Sequence, residues 1–261
     1  MFWIIQSQIW NEPFYDKLIS FLDRCEIPYE LVKAVPFSGE MIPEPTIPDG
    51  MNVMVIGSYS LANAAIEKGW IPGAFNNENY DYRVWSKAWK GHCFNAPAHV
   101  CRFEDVPFQQ NPFFIRPALD TKDFTGQVMD WGEFQEWQHK VLNLKETYTS
   151  MDGDTVVMVA KPKPIEAEFR FIVVDGKVIT GSMYKQGSTV LYKEVDPKIE
   201  YELWDFTTDR VAEWQPARAF ALDICRSNGE YFVLEMGCMN AASLYHCDVQ
   251  KIVMAIEDMR F

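Results

Sequence analysis

The chain has 261 residues, 48% of them hydrophobic, and its 37 acidic against 24 basic side chains give a formal net charge of -13 at pH 7. Such acidity argues against a general binder of nucleic acid or of anionic membranes, because those proteins gain affinity from Lys and Arg that neutralise phosphates. Any phosphate site must then be a local cationic pocket, in a chain long enough for two modest domains or one domain with lobes.

No apolar run reaches the roughly 18–20 residues that span a bilayer, and the apolar start Met1 to Gln6 is too short for a signal peptide and lacks its basic beginning. A cytoplasmic protein is expected. The six cysteines are scattered without a CxxC pair, which suggests free, buried thiols in a reducing compartment.

In chain order, Phe2 to Gln6 reads as a buried strand, and Pro13 to Cys25 as a helix with Phe14, Leu18, Phe21, Leu22 and Cys25 on one stripe. Tyr29 to Val35 and Asn52 to Gly57 are further strands. The four prolines between Pro36 and Gly50 predict an irregular surface loop there. Gly57 to Ala65 resembles a strand followed by a Ser-capped helix. These elements predict a small α/β lobe over residues 1–105.

A second region, 106–261, begins near Val106. Pro112 to Pro117 gives a strand, and Ala118 to Gly126 a loop that leads into a helix over Trp131 to Leu144. Thr155 to Ala160, Glu168 to Val174 and Lys177 to Tyr184 are β-rich, with Asp175-Gly176 as a two-residue hairpin turn. Helix is expected to return only around Val249 to Met259, so this region reads as an antiparallel sheet with a few helices, α+β in class. His92-Cys93 and His99-x-Cys101 fit no standard zinc spacing.

Between Ala217 and Tyr245 lie two apolar strands joined by a Ser-Asn-Gly turn, each delivering a carboxylate. Buried carboxylates are costly unless paired or bound to a cation, so Asp223 and Glu235, with Asn240, suggest a shared magnesium site. Magnesium held by so few protein oxygens normally also holds phosphates, which points to ATP. Cations gather against the acidic average: Arg116 at a strand end, Lys122 in a loop, Lys161 and Lys163 beside prolines, and Arg170 beside Glu168 on one strand face, Phe169 and Phe171 on the other. The planar fork of Arg suits phosphate or carboxylate oxygens.

The motifs Phe-Ile-Arg116-Pro, Thr-Lys122-x-Phe-Thr-Gly126, Glu168-Phe-Arg170-Phe-x-Val-Val-Asp-Gly-Lys, Gly-Ser182-x-Tyr184, Leu-Asp223 and Glu235 to Asn240-Ala-Ala-Ser-Leu-Tyr, in that order, resemble the ATP-grasp proteins. Within them the chain is similar to the clade named for its two arginines and one lysine, often found in bacteriophages and bacteria. The resemblance implies two α+β subdomains that sandwich ATP, preceded by an α/β lobe. It also implies an enzyme that joins a carboxylate to an amine through an acyl phosphate, with substrate choice in the first lobe and in loops such as Val35 to Gly50 and Asn76 to Cys93. Its parts are positional and electrostatic.

Carried over, Arg116 and Lys122 match cations on the ATP phosphates, and Thr121 to Gly126, with Thr125, matches the loop that covers them. Met158 to Lys161, with Val159 and Ala160, matches the segment that receives adenine. Arg170 matches a position near the transferred phosphoryl group, and Asp223, Glu235 and Asn240 match the metal ligands. Many ATP-grasp enzymes place the metal Asn two residues after the Glu; here Gly237 stands there, so either Asn240 reaches the metal or the site has fewer protein ligands. Structural competitors stand beside these roles: ion pairs for Asp223 and Glu235, bridges from Arg116 or Arg170 to Glu168 or Asp120, and solvation for Lys122, Lys161 and Lys163. The alternatives to a ligase are a nucleotide-binding or host-interaction protein without turnover, and a kinase.

Overall fold

The computed structural model describes residues 1–7, 9, 13–36, 38–143 and 151–261. The expected helix end at Leu144 lies outside the described residues. Two compact units emerge: Met1–Glu78 with Ile165–Phe261, and Asn79–Pro164. The first lobe and the last segment share one core, in which Trp3, Ile5, Phe14 and Leu18 pack with Ile172, Ala221, Met239, Leu244 and Ile252.

The first unit opens with β1 (Phe2–Gln6), α1 (Pro13–Arg24), β2 (Tyr29–Ala34), β3 (Met41–Ile42), β4 (Val53–Ile56), α2 (Tyr59–Glu67) and β5 (Pro72–Gly73). They build a sheet of order β3-β2-β1-β4-β5 in which β1 runs parallel to β2 and β4. Helix α1 forms because Phe14, Leu18, Phe21 and Leu22 recur at helical spacing and are buried. At the start of α2 the Ser58 side chain accepts from the Leu61 N–H, as a capping serine does. The expectation of a wholly irregular stretch between Pro36 and Gly50 is corrected by β3. Met41 and Ile42, between Pro36 and Pro43, pair antiparallel with Ala34 and Lys33, and bury Met41 beside Phe2 and Val32.

The second unit holds α3 (Tyr82–Ala88), β6 (Ala98–Arg102), β7 (Phe113–Pro117), β8 (Gln127–Met129), α4 (Trp131–Asn143) and β9 (Val156–Ala160). Its sheet has the order β6-β9-β7-β8, all antiparallel. Asn76 to Cys93, expected as a loop, contains α3, capped by the Asp81 side chain on the Arg83 N–H. Helix α4 starts with a reciprocal capping box: the Asp130 carboxylate accepts from the Glu133 N–H and the Glu133 carboxylate from the Asp130 N–H, both at 2.9 Å. The helix seals an aromatic core in which the Phe103 and Phe134 rings meet edge to face, 5.4 Å apart.

The first unit resumes with β10 (Ala167–Val174), β11 (Lys177–Gln186), β12 (Thr189–Glu194), α5 (Tyr201–Glu213), β13 (Ala219–Ser227), β14 (Glu230–Gly237), a 3-10 turn at Met239–Ala241, and α6 (Val249–Glu257). An antiparallel sheet of order β12-β11-β10-β13-β14 results. Both tight turns carry left-handed residues, Asp175 at φ +44 with Gly176 at +75, and Asn228 at φ +51 with Gly229 at +78, as two-residue hairpins require. The expectation that helix returns only near Val249 is corrected by α5. Its buried stripe is Leu203, Thr207, Arg210 and Val211, and it covers the sheet face bearing Phe171, whose ring stands edge-on to Trp204 at 5.7 Å.

Alternation on β10 and β13 splits the opposite face in two. Ile172 and Val174, with Ala219 and Ala221, enter the core shared with the first lobe, while Arg170 and Asp223 continue the same face where that core ends.

Candidate active site

Register places the charged residues in one row across the sheet: Ser182 on β11 opposite Arg170 on β10, Arg170 opposite Asp223 on β13, and Asp223 opposite Glu235 on β14. The Arg170 fork grips Asp223 in bidentate fashion, Nε to Oδ1 at 2.8 Å and Nη2 to Oδ2 at 2.7 Å. Its Nη1 donates to the Ser243 carbonyl at 3.0 Å, and Glu235 Oε1 lies 3.9 Å from Nη2. Asp223 is 1% exposed, whereas the Glu235 side chain is 38% exposed and gives the row an open end. The resemblance sets Arg170 near a transferred phosphoryl group; here most of its donors are committed to Asp223 and Ser243. A second network adjoins the row. The Tyr184 hydroxyl donates to Glu168 Oε2 at 2.9 Å and lies 3.4 Å from Asp223 Oδ2, while Lys185 pairs with Glu168 at 2.8 Å.

Asn240, expected as a third oxygen ligand beside the carboxylates, is committed to other partners in this structure. Fully buried in the 3-10 turn, its Oδ1 accepts from the Phe75 N–H at 2.9 Å and lies 3.3 Å from the Cys238 thiol. Its Nδ2 donates to the carbonyls of Val55 at 2.7 Å and Gly73 at 3.3 Å. The side chain is a clamp between the turn and the first-lobe sheet.

On the second unit, half-buried Arg116 lies on β7 opposite Met158, and its neighbours Ile115 and Phe114 pair with Val159 and Ala160. A Cβ built on Gly126 would stand 3.2 Å from the Arg116 Cβ and 2.8 Å from the Phe114 ring, so the loop passes close against β7 and a side chain there would require the Phe114 ring to move. Lys122 is exposed, with a left-handed φ of +55, and Thr125 and Lys161 are exposed. Lys163 is committed to the carbonyls of Phe94 and Ala96, a structural role.

Residues 97–255 match an ATP-grasp domain family, family 2 of the clade named for two arginines and one lysine. The chain belongs to this family. It is similar in fold to D-alanine–D-alanine ligase from Bacillus anthracis complexed with ATP, at 14% identity over 98% of this chain and 96% of that one, with a TM-score of 0.59. A RimK domain ATP-grasp protein from Sphaerobacter thermophilus aligns at 12% identity over 92% of each chain, TM-score 0.55. The ATP-grasp ligase PsnB complexed with a minimal precursor aligns at 12% identity over 98% of this chain and 97% of that one, TM-score 0.54. No curated protein matches. At these identities the likenesses establish the ATP-grasp fold.

In this ATP-grasp chain Asp223 and Glu235 are the residues of the row that could hold a divalent cation. Among the described residues no group of three His, Cys, Asp or Glu side chains encloses a metal, so Asp223 and Glu235 would supply two oxygens and the rest would come from outside the chain. Magnesium is usually held in that way, by one or two carboxylates with waters and phosphates. The electrostatics agree. Burial foremost, with the Glu235 carboxylate, pushes the Asp223 carboxyl up to about 6 against the opposing pull of Arg170. Burial and the nearby acids also raise the Tyr184 phenol well above its usual value, so it stays neutral and acts as a donor. Burial pushes the Cys93 thiol up to about 12 and raises the Cys247 thiol, which leaves neither as a ready nucleophile.

A raised carboxyl binds its proton more tightly in the folded state, so its stability contribution is present below the unfolded value and is lost as pH rises through about 6. Without metal, the melting temperature of the wild type should fall relative to that of Asp223→Asn between pH 4.5 and 7.5. A constant difference would show that Asp223 does not titrate in this range.

Tyr184 has a faint sequence signal, because alternation puts it with Ser182 on the Arg170 face; Lys185 has none, since only a bulge brings it opposite Glu168. Tyr245, whose ring lies 4.9 Å from the Arg170 guanidinium, is marked in the sequence only as the last residue of the Asn240 motif.

Proposed function

We propose that this ATP-grasp protein is an ATP- and magnesium-dependent ligase that joins a carboxylate to an amine. The observation that carries this reading is the row Arg170, Asp223, Glu235 on three adjacent strands, a charge-paired carboxylate set with one open end. Family membership and the fold support it, as do two of the solved neighbours, a ligase complexed with ATP and a ligase complexed with a precursor.

The substrate carboxylate would attack the γ-phosphorus, ADP would leave, and the amine would then add to the acyl carbon, expelling phosphate and losing a proton. In this reading Arg116 and Lys122 hold phosphate oxygens. The backbone around Thr125 and Gly126 covers them, and Val159, Ala160 and Lys161 receive the adenine. A magnesium ion on Asp223 and Glu235 would neutralise phosphate charge. Arg170 keeps Asp223 ionised and oriented. Catalysis is then positional and electrostatic, with no Ser or Cys nucleophile. Among the described residues no helix is long and apolar enough to cross a membrane; we place the reaction in the cytoplasm, the host's if the chain is phage-encoded.

The test is calorimetry with a non-hydrolysable ATP analogue, with and without magnesium, on the wild type, Asp223→Asn and Glu235→Gln. Magnesium-dependent binding should weaken at least about tenfold in each variant, as metal-site substitutions do. Carboxylate and amine pairs are then screened for ADP release. No binding by the wild type would sink the proposal. Gly237 at the usual metal Asn position, with Asn240 committed elsewhere, favours one second reading, a nucleotide-binding protein without turnover. Binding with no ADP release from any pair would select it, and a phosphorylated alcohol as product would indicate a kinase.

A further inference from the structure

The segment Ser243–Asp248, between the 3-10 turn and α6, is fastened to the site row and to β11. Arg170 Nη1 donates to the Ser243 carbonyl, the His246 N–H donates to Ser182 Oγ at 3.2 Å, and the Asp248 N–H donates to Thr180 Oγ1 at 2.9 Å. The Cys247 thiol reaches the Arg170 carbonyl at 3.7 Å. Within this clamp Tyr245 has φ +48, a left-handed conformation that Gly or Asn adopts at lower cost. Strain of this kind persists only where the surroundings over-determine it, and it points to a use for the side chain.

The use lies in the ring. Tyr245 stacks on Tyr184 at 4.7 Å and on Tyr192 at 5.4 Å, both at 22°, and the Arg170 guanidinium stands 4.9 Å from its centroid. An arginine on a long flexible stem keeps a bidentate fork only if its plane is held, and an aromatic face attracts that cation. We propose that Tyr245 is a positioning residue that acts through Arg170: its ring fixes the guanidinium plane and thereby the orientation of the Asp223 carboxylate offered to the cation. The consequence for magnesium rests on the proposed function; the coupling of Tyr245 to Arg170 does not.

Two variants separate ring from fold. Tyr245→Gly removes the ring at a position whose backbone suits glycine, so the fold is expected to hold. Tyr245→Phe keeps the ring face. The first readout needs no ligand: the Arg170 Nε–H signal in a proton–nitrogen NMR spectrum, assigned by its absence in Arg170→Met. It should persist in the wild type and in Tyr245→Phe and vanish by solvent exchange in Tyr245→Gly. The second is the magnesium concentration at half-maximal binding of the ATP analogue, expected to rise about tenfold or more in Tyr245→Gly and to stay within about twofold of wild type in Tyr245→Phe. A protected Arg170 Nε–H in Tyr245→Gly, or an equal loss in Tyr245→Phe, would overturn the inference. Should the wild type bind no nucleotide while the signal still vanishes in Tyr245→Gly, the ligase reading falls and the coupling stands.

Discussion

Arg170→Met should destabilise the protein by about 3–5 kcal/mol at pH 8, the cost of breaking a buried ion pair by removing one partner. Asp223, almost wholly buried, would be left beside Glu235 with no guanidinium across the strand. Arg170 is the charge that pulls the Asp223 carboxyl down, so its removal lifts that carboxyl further, and the penalty is fully expressed only when Asp223 is ionised. Denaturant unfolding at pH 8 and pH 5.5 should therefore show a smaller loss at the lower pH. Magnesium should recover part of the loss at pH 8, because a ligand of the folded state alone stabilises by mass action. An equal loss at both pH values would trace the effect to packing and remove the electrostatic account of the row.

Asn240→Ala is expected to cost about 2–4 kcal/mol, because the Phe75 N–H and the carbonyls of Val55 and Gly73 lose a buried partner. The magnesium requirement for nucleotide binding should not change in the protein that remains folded. Denaturant midpoints measure the first effect and calorimetric magnesium titration the second. A shifted magnesium midpoint at unchanged stability would restore Asn240 as a metal ligand and contradict the clamp.

The strands and turns that carry the charged row were legible because their signals are local. Asp175-Gly176 and Asn228-Gly229 have residues that tolerate left-handed backbone, and β10 alternates Glu168 and Arg170 with Phe169 and Phe171. Helix α5 escaped because its buried stripe includes Thr207 and Arg210, which dilute the apolar period. Helix α3 escaped because seven residues leave little periodicity to read. The two-residue β3 depends on a partner strand that its own sequence does not name.

The sequence by itself determined the residue types for a phosphate and metal chemistry, their order along the chain, and the hairpin that brings Asp223 and Glu235 to one end, because turn chemistry acts over a few residues; the bulge between Asp223 and Ile224 then sets Asp223 opposite Glu235. Only the tertiary structure decided which charge pairs with which. Arg170 meets Asp223 through the register of strands 53 residues apart, and Asn240 turns to carbonyls 185 and 167 residues away. Tyr245 reaches Arg170 through a loop clamped to β11. Polar side chains take whichever donors and acceptors burial leaves nearest, and those are set by packing between distant segments.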